Sequence, residues 1–181
     1  EFDYEIEFSV LADAAQDQDG VCMRFPCKGS SITWAMQLFP AGSTQWYGFL
    51  ALDGKEAIPS PPEVRIQRGK LARGARHQAV VKVREGTLTG VLNGEELVHW
   101  KGDLGRFKTA LLDSVAPLRD PRFLGITAGN RGGIIVHKAT ITEFLPESAA
   151  SNLPTGPTTW KDTKGRSITA KFKAIASGNV L

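Results

Sequence analysis

The chain has 181 residues, of which 41% are hydrophobic and 23% charged, with a formal net charge of +3. This is an ordinary globular composition, and the length suits one sizeable domain with a small appendage. No apolar run approaches the roughly 20 residues a membrane-spanning helix needs, and no secretory leader is visible. The two cysteines, Cys22 and Cys27, are too few for a disulfide framework or a zinc site. The run VCMRFPC is open to a local disulfide turned by its proline or to two half-buried thiols.

In chain order, EFDYEIEFSV, GVCMRFP, SITWAMQLF, QWYGFLAL, PEVRIQR, HQAVVKVR, TLTGVLNG, ELVHW, RFLGITA and GIIVHKATITEF follow a period of two and read as strands. Clusters of Gly, Asp, Asn, Ser and Pro separate them. Asn93-Gly94 predicts a tight hairpin, because both turn residues must take positive φ. The one helical signal is a turn or two within LGRFKTALLDSV, where Phe107, Leu111 and Val115 share a face. Many short strands at regular spacing predict an all-β fold, a two-sheet antiparallel jelly-roll sandwich. After Phe144 the texture changes. LPESAASNLPTGPTT reads as a linker, and TWKDTKGRSITAKFKAIASGNVL resumes alternation as a partial small β-domain. The predicted organisation is a sandwich over 1–145 whose N-terminal part lies upstream, a Pro/Ser-rich linker over 146–157, and the truncated start of a second domain over 158–181.

Several stretches carry candidate chemistry. Glu1, Asp3, Glu5 and Glu7 alternate with Phe2, Tyr4, Ile6 and Phe8. The Glu-x-Asp-x-Glu spelling resembles the nucleophile and acid/base motif of retaining β-glucanases, whose carboxylates work about 5–5.5 Å apart. Here it opens the chain and a further acid continues it, so it reads as the solvated face of a strand. Asp13, Asp17 and Asp19 are candidate calcium ligands, although the EF-hand spacing and its closing Glu are absent and a polar turn explains them equally. Arg65, Arg68, Lys70, Arg73, Arg76, Lys82 and Arg84 crowd one stretch without any nucleic-acid motif or interleaved aromatics, and read as solvated strand faces. Trp34, Trp46, Tyr47 and Trp100 are candidate sugar platforms. Trp34 shares a face with Ile32, Met36 and Leu38 and belongs to the core, whereas Trp46 and Tyr47 point to opposite faces, so that one of them is exposed. Arg24, Gln37 and Tyr47 on neighbouring strands would form a polar, aromatic patch of the kind that recognises carbohydrate. Arg131 and His137, near the last strand, complete the candidate ligand-binding set. No Ser-His-Asp arrangement, nucleophile elbow, phosphate loop or dinucleotide fingerprint occurs.

YEIEF, then DGVCMRF, then HQAVVKVREGTLTGVLNGEELVHW, then LGITAGNRGGIIVHKATITEF together resemble a concanavalin A-like (laminin G-like) jelly roll. The long hairpin turned at LNGEEL carries that likeness. The Gly-rich turn before GIIVHKATITEF, with Glu143 near its end, is similar to the close of the bacterial 3-keto-disaccharide hydrolase family. In the tail, Trp160, Asp162, Gly165, Arg166, Ala170, Phe172, Gly178, Val180 and Leu181 fit the opening of a Sla-one homology domain. In yeast that domain binds Asn-Pro-Phe peptides, and bacterial proteins carry it beside exported β-domains. The resemblances imply a non-catalytic module that binds carbohydrate or a cell-surface glycan, within a larger exported bacterial protein, extracellular or periplasmic. The alternative they imply is a glycoside hydrolase. A protein partner would come through the C-terminal domain when complete. No nucleic-acid partner, membrane span, catalytic residue or cofactor is expected, calcium being the candidate ion.

Overall fold

The computed structural model describes residues 1–11, 20–38, 45–54, 62–107, 123–128 and 133–144, with the backbone of four short strands between 157 and 180. The ten strands expected from alternation are present: β1 (Phe2–Val10), β2 (Val21–Cys27), β3 (Ser30–Leu38), β4 (Gln45–Phe49), β5 (Arg65–Arg68), β6 (Arg76–Arg84), β7 (Thr87–Leu92), β8 (Glu95–Lys101), β9 (Gly125–Ala128) and β10 (Ile134–Glu143). They form two five-stranded antiparallel sheets, β10-β1-β6-β7-β8 and β5-β4-β3-β2-β9. The chain is an all-β jelly-roll sandwich. Of the stretch that carries the helical signal, the described residues 104–107 hold a 3₁₀ turn, Leu104–Arg106, where Asp103 caps the Gly105 N–H at 2.9 Å. Leu111 and Val115 lie outside the described residues, as do the calcium candidates Asp13, Asp17 and Asp19.

Alternation sorts the side chains. The even residues of β1 (Tyr4, Ile6, Phe8) and the odd residues of β2 (Val21, Met23, Phe25) are buried between the sheets, as are Trp34 and Phe49. A chain of ring contacts threads this core: Tyr4 to Phe25 at 5.3 Å, Phe25 to Phe49 at 6.3 Å, Phe49 to Phe107 at 6.2 Å and Phe107 to Trp100 at 4.9 Å. Trp100 is therefore a core residue, not a platform. Gly90 on β7 faces Trp34 of the other sheet so closely that a Cβ there would lie 2.9 Å from the indole. The missing side chain is what lets the largest core residue seat.

β1 is not an edge strand; it runs between β10 and β6. Its odd residues face outward, and the acidic row is matched by partners on both neighbours. Asp3 accepts from Arg84 at 2.7 Å, Glu7 from Arg76 at 2.8 Å, and Glu5 from Gln78 at 3.0 Å and Lys138 at 3.1 Å. The Gln78 hydrogen bond, followed by that of Lys138, holds the Glu5 carboxyl below the usual carboxylate range. Two members of the basic stretch, Arg76 and Arg84, are accounted for in this way, as neutralising partners of one strand. Such exposed pairs set register and specificity more than stability.

Residues 3–141 form one compact unit, and residues 1–2 with 142–181 form another. In the second unit β11 (Pro157–Lys161) pairs antiparallel with β12 (Ser167–Lys171), Trp160 opposite Ile168. There β13 (Ile175–Ala176) likewise pairs with β14 (Asn179–Val180).

Candidate functional site

Cross-strand register assigns the outer face of the β5-β4-β3-β2-β9 sheet residue by residue. Thr127, Cys22, Ala35, Gly48 and Arg65 stand side by side across all five strands. One step along lie Gly125, Arg24 and Thr33, followed by the pair Pro26 and Ser31. On the other side of the row lie Trp46 and Gln67. The middle of the face, Ala35 and Gly48, carries the least side chain, a trough in outline whose floor the chain itself buries, Ala35 being 0% exposed. Arg24, Cys22, Ser31 and Thr33 stand on one side of it and Trp46, Arg65 and Gln67 on the other. Cys22 and Arg65 are three strand spacings apart, about 14 Å. Gly48 cannot carry a side chain, because a Cβ would overlap the Val64 carbonyl oxygen. The trough floor is kept low by that backbone approach.

The chemistry along the trough is that of donors and hydroxyls. The Arg65 guanidinium lies over the Trp46 ring, its Cζ 4.2 Å from the centroid, a cation–π pair worth about 0.5–2 kcal/mol. Arg24, Ser31 and Thr33 are each at most 2% exposed. Ser31 Oγ, Thr33 Oγ1, Trp46 Nε1 and Arg65 Nη1 are buried and find no hydrogen-bond partner among the described residues. Buried polar atoms are normally satisfied, and each unmet one costs about 1–3 kcal/mol. Ser31 and Thr33 are closed off from solvent by the chain itself, whereas Trp46 and Arg65 are half-buried and can be reached from outside. No carboxylate occurs among the described residues of this face.

Burial pushes the Cys22 thiol up to about 11, against the opposing pull of Arg24, and burial likewise raises Cys27. Both are free thiols. They lie an odd number of residues apart on one strand and so face opposite sides of the sheet, which rules out the local disulfide here. Cys22 is a neutral wall of the trough and not a nucleophile at neutral pH. Iodoacetamide should therefore label it slowly in the folded chain at pH 7.5, with a rate that climbs toward pH 11. Labelling as fast as in the urea-unfolded chain would contradict this.

The sequence-predicted patch is divided by the structure. Arg24 is on the trough face, and so is Trp46. Tyr47 takes the opposite, inner face, 1% exposed, with its hydroxyl donating to the Gly69 carbonyl at 2.7 Å and its pKa pushed up to about 12 by burial. Gln37 is not part of the patch either: it sits at positive φ in a β-bulge and accepts from the Leu71 N–H at 2.7 Å. His137 belongs to the other sheet, on the exposed edge strand β10, with Nε2 2.9 Å from Ser9 Oγ. Arg131 lies outside the described residues. Thr33 and Ser31 were not singled out in the sequence, and Arg65 was read there only as part of a basic stretch on solvated strand faces. The usable signal was the position of Arg65 in PEVRIQR, which reaches Trp46 only once β4 and β5 are paired.

No protein-family model matches the chain, and no curated protein matches it in sequence. Among solved structures it is similar to sheep galectin-11 in complex with glycerol, with 9% identity, TM-score 0.43, 77% of this chain and 88% of that one covered. It is also similar to a candidate glycosyl hydrolase from Parabacteroides distasonis, with 12% identity, TM-score 0.43 and coverages of 77% and 70%.

A second cleft, about 320 Å³, opens on the inner side between β5 and the β7–β8 turn, lined by Tyr47, Leu71, His77, Asn93 and Leu97 among others. Its polar atoms are already paired within the fold. His77 Nε2 donates to the Ala72 carbonyl at 2.8 Å, and the Asn93 amide reaches His77 Nδ1 at 3.2 Å. Internal satisfaction of this kind describes packing, so the trough is the better candidate.

Proposed function

We propose that residues 3–141 are a non-catalytic carbohydrate-binding module and that the trough on the β5-β4-β3-β2-β9 sheet is its binding face. The observation that supports this is the half-buried pair of Trp46 and Arg65, which sets an aromatic ring and a guanidinium together at the accessible rim of that face. A sugar ring presents C–H groups to an indole and hydroxyls to fixed donors and acceptors, and this face supplies both. Hydrolysis of the 3-keto-disaccharide type, which the closing strand suggests by resemblance, would call for carboxylates. The described residues here supply donors instead. A larger exported bacterial protein, with residues 158–181 opening a Sla-one homology domain for a peptide partner, completes the proposal.

A glycan array probed with the 181-residue chain tests it. Specific glycans should be retained, and Trp46→Ala should weaken them by at least about tenfold, as expected of a buried aromatic anchor. Tyr47→Phe, altering only the inner face, should leave binding unchanged. A folded chain that retains no glycan, or that loses binding on Tyr47→Phe and keeps it on Trp46→Ala, would overturn the proposal.

A further inference from the structure

Arg68, Arg76, Arg84 and Arg106 each hold a carboxylate, from Glu95, Glu7, Asp3 and Asp53 respectively. Arg65 differs. It lies on the ring of Trp46 and has no ion-pair partner among the described residues, and its Nη1 is buried without a hydrogen bond. The Trp46 Nε1 beside it is equally unmet. Guanidinium and indole N–H groups are donors only. A neutral hydroxyl would satisfy one of them at a time, whereas a carboxylate or sulfate presents several acceptor oxygens and a charge to oppose the guanidinium. Arg65 keeps a half-buried position through its stack on Trp46, which costs it none of its five N–H donors.

We infer that the rim of the trough at Trp46 and Arg65 takes an anionic saccharide, with a carboxylate or sulfate group of the sugar received by the Arg65 guanidinium. This rests on the carbohydrate reading of the same face and adds the class of sugar. The charge selection comes from one side of the trough.

The test measures affinity of the full chain for polysaccharide pairs that share a backbone and differ in charge. Polygalacturonate is set against its methyl ester, and dextran sulfate against dextran, alongside a glycan array holding neutral, carboxylated and sulfated members. The charged member of at least one pair, or of matched array glycans, should bind about tenfold tighter or more, the scale of one charge-assisted hydrogen-bonded pair. Which charged arm wins separates carboxylate from sulfate. Arg65→Gln should reduce that preference to near unity while thermal unfolding stays cooperative. Lys82→Gln, on the outer face of the other sheet, should leave the preference intact.

Three results would overturn the assignment. Equal binding within every pair removes the anionic class and leaves the carbohydrate reading standing. Equal losses on Arg65→Gln and Lys82→Gln show mere attraction to a cationic chain. Binding to no glycan of any charge removes both readings together.

Discussion

Phe49→Ala should destabilise the sandwich by about 3–5 kcal/mol, the usual cost of deleting a fully buried aromatic ring. The position decides the size of the effect. Phe49 is 0% exposed, and its ring meets Phe25, Trp34 and Phe107 with centroids 6.2–6.3 Å away. These neighbours come from two other strands and from the 3₁₀ turn, so none can move into the vacated space without dragging its own element. Trp34 is further confined by the close approach of Gly90 from the facing sheet. The cavity should therefore persist, and its penalty adds to the lost transfer free energy. For a domain of this size the fall in melting temperature should be on the order of 10 °C. Phe123→Ala is the contrast, since that ring is 63% exposed and its removal should cost no more than about 0.5 kcal/mol. Urea denaturation reads both. A Phe49→Ala protein within 1 kcal/mol of wild type, at unchanged m-value, would mean that the ring cluster is not the centre of the core.

The strands were legible because their residues obey a period of two with turn chemistry between them, and the Asn93-Gly94 hairpin because only a few residue types tolerate its backbone. What alternation cannot supply is which face of each strand meets the core when both faces carry something apolar. QWYGF is such a case. Adjacent aromatics must diverge, and the sequence is symmetric as to which one turns inward. The Trp34–Phe49 and Ala35–Gly48 pairs settle it: with Phe49 inward, alternation along β4 turns Tyr47 inward and Trp46 outward. Gln37, in the β-bulge of β3, is a second gap. A polar residue at positive φ in an otherwise regular strand leaves no mark in the pattern. Arg24 and Thr33 show a related gap. In VCMRFPC and SSITWAM they occupy the polar positions, which ordinarily means water, yet they are 2% and 1% exposed. Burial of an outer face depends on the tertiary fold and is invisible to a strand read alone.

The basic stretch is instructive for the opposite reason. As a run it suggests a single electropositive patch. Strand pairing instead distributes it over both sheets, Arg76 and Arg84 onto the acidic row of β1, Arg68 onto Glu95, and Arg65 onto Trp46. Of these four only Arg65 is without a carboxylate among the described residues, and partner chemistry, not sequence position, distinguishes it. The acidic row of β1 is resolved by the same accounting. Asp3, Glu5 and Glu7 are each occupied by a cation or amide from a neighbouring strand, so the glucanase-like spelling describes a paired sheet face.

Asn93→Ala should cost about 2–4 kcal/mol, a large effect for a turn residue, because three separate penalties fall on one side chain. The first is conformational. Asn93 holds φ at 52°, a left-handed conformation that costs an alanine about 1–2 kcal/mol. The second is the bond from the Gln78 N–H to Asn93 Oδ1 at 2.9 Å, which anchors the hairpin to β6. The third lies with His77, 5% exposed. Its Nε2 faces a carbonyl, which only accepts, so Nε2 carries the proton and the neutral ring's Nδ1 must accept from the Asn93 amide. Alanine leaves that buried nitrogen unmet, at about 1–3 kcal/mol. Asn93→Gly separates the terms, since glycine adopts the turn without strain yet makes neither side-chain bond. It should fall between wild type and Asn93→Ala, the gap to alanine measuring strain and the gap to wild type measuring the two hydrogen bonds. Chemical denaturation of the three proteins gives both differences. If Asn93→Gly proved as stable as wild type, the Asn93–His77 contact would contribute nothing and the inner cleft would owe its shape to packing alone.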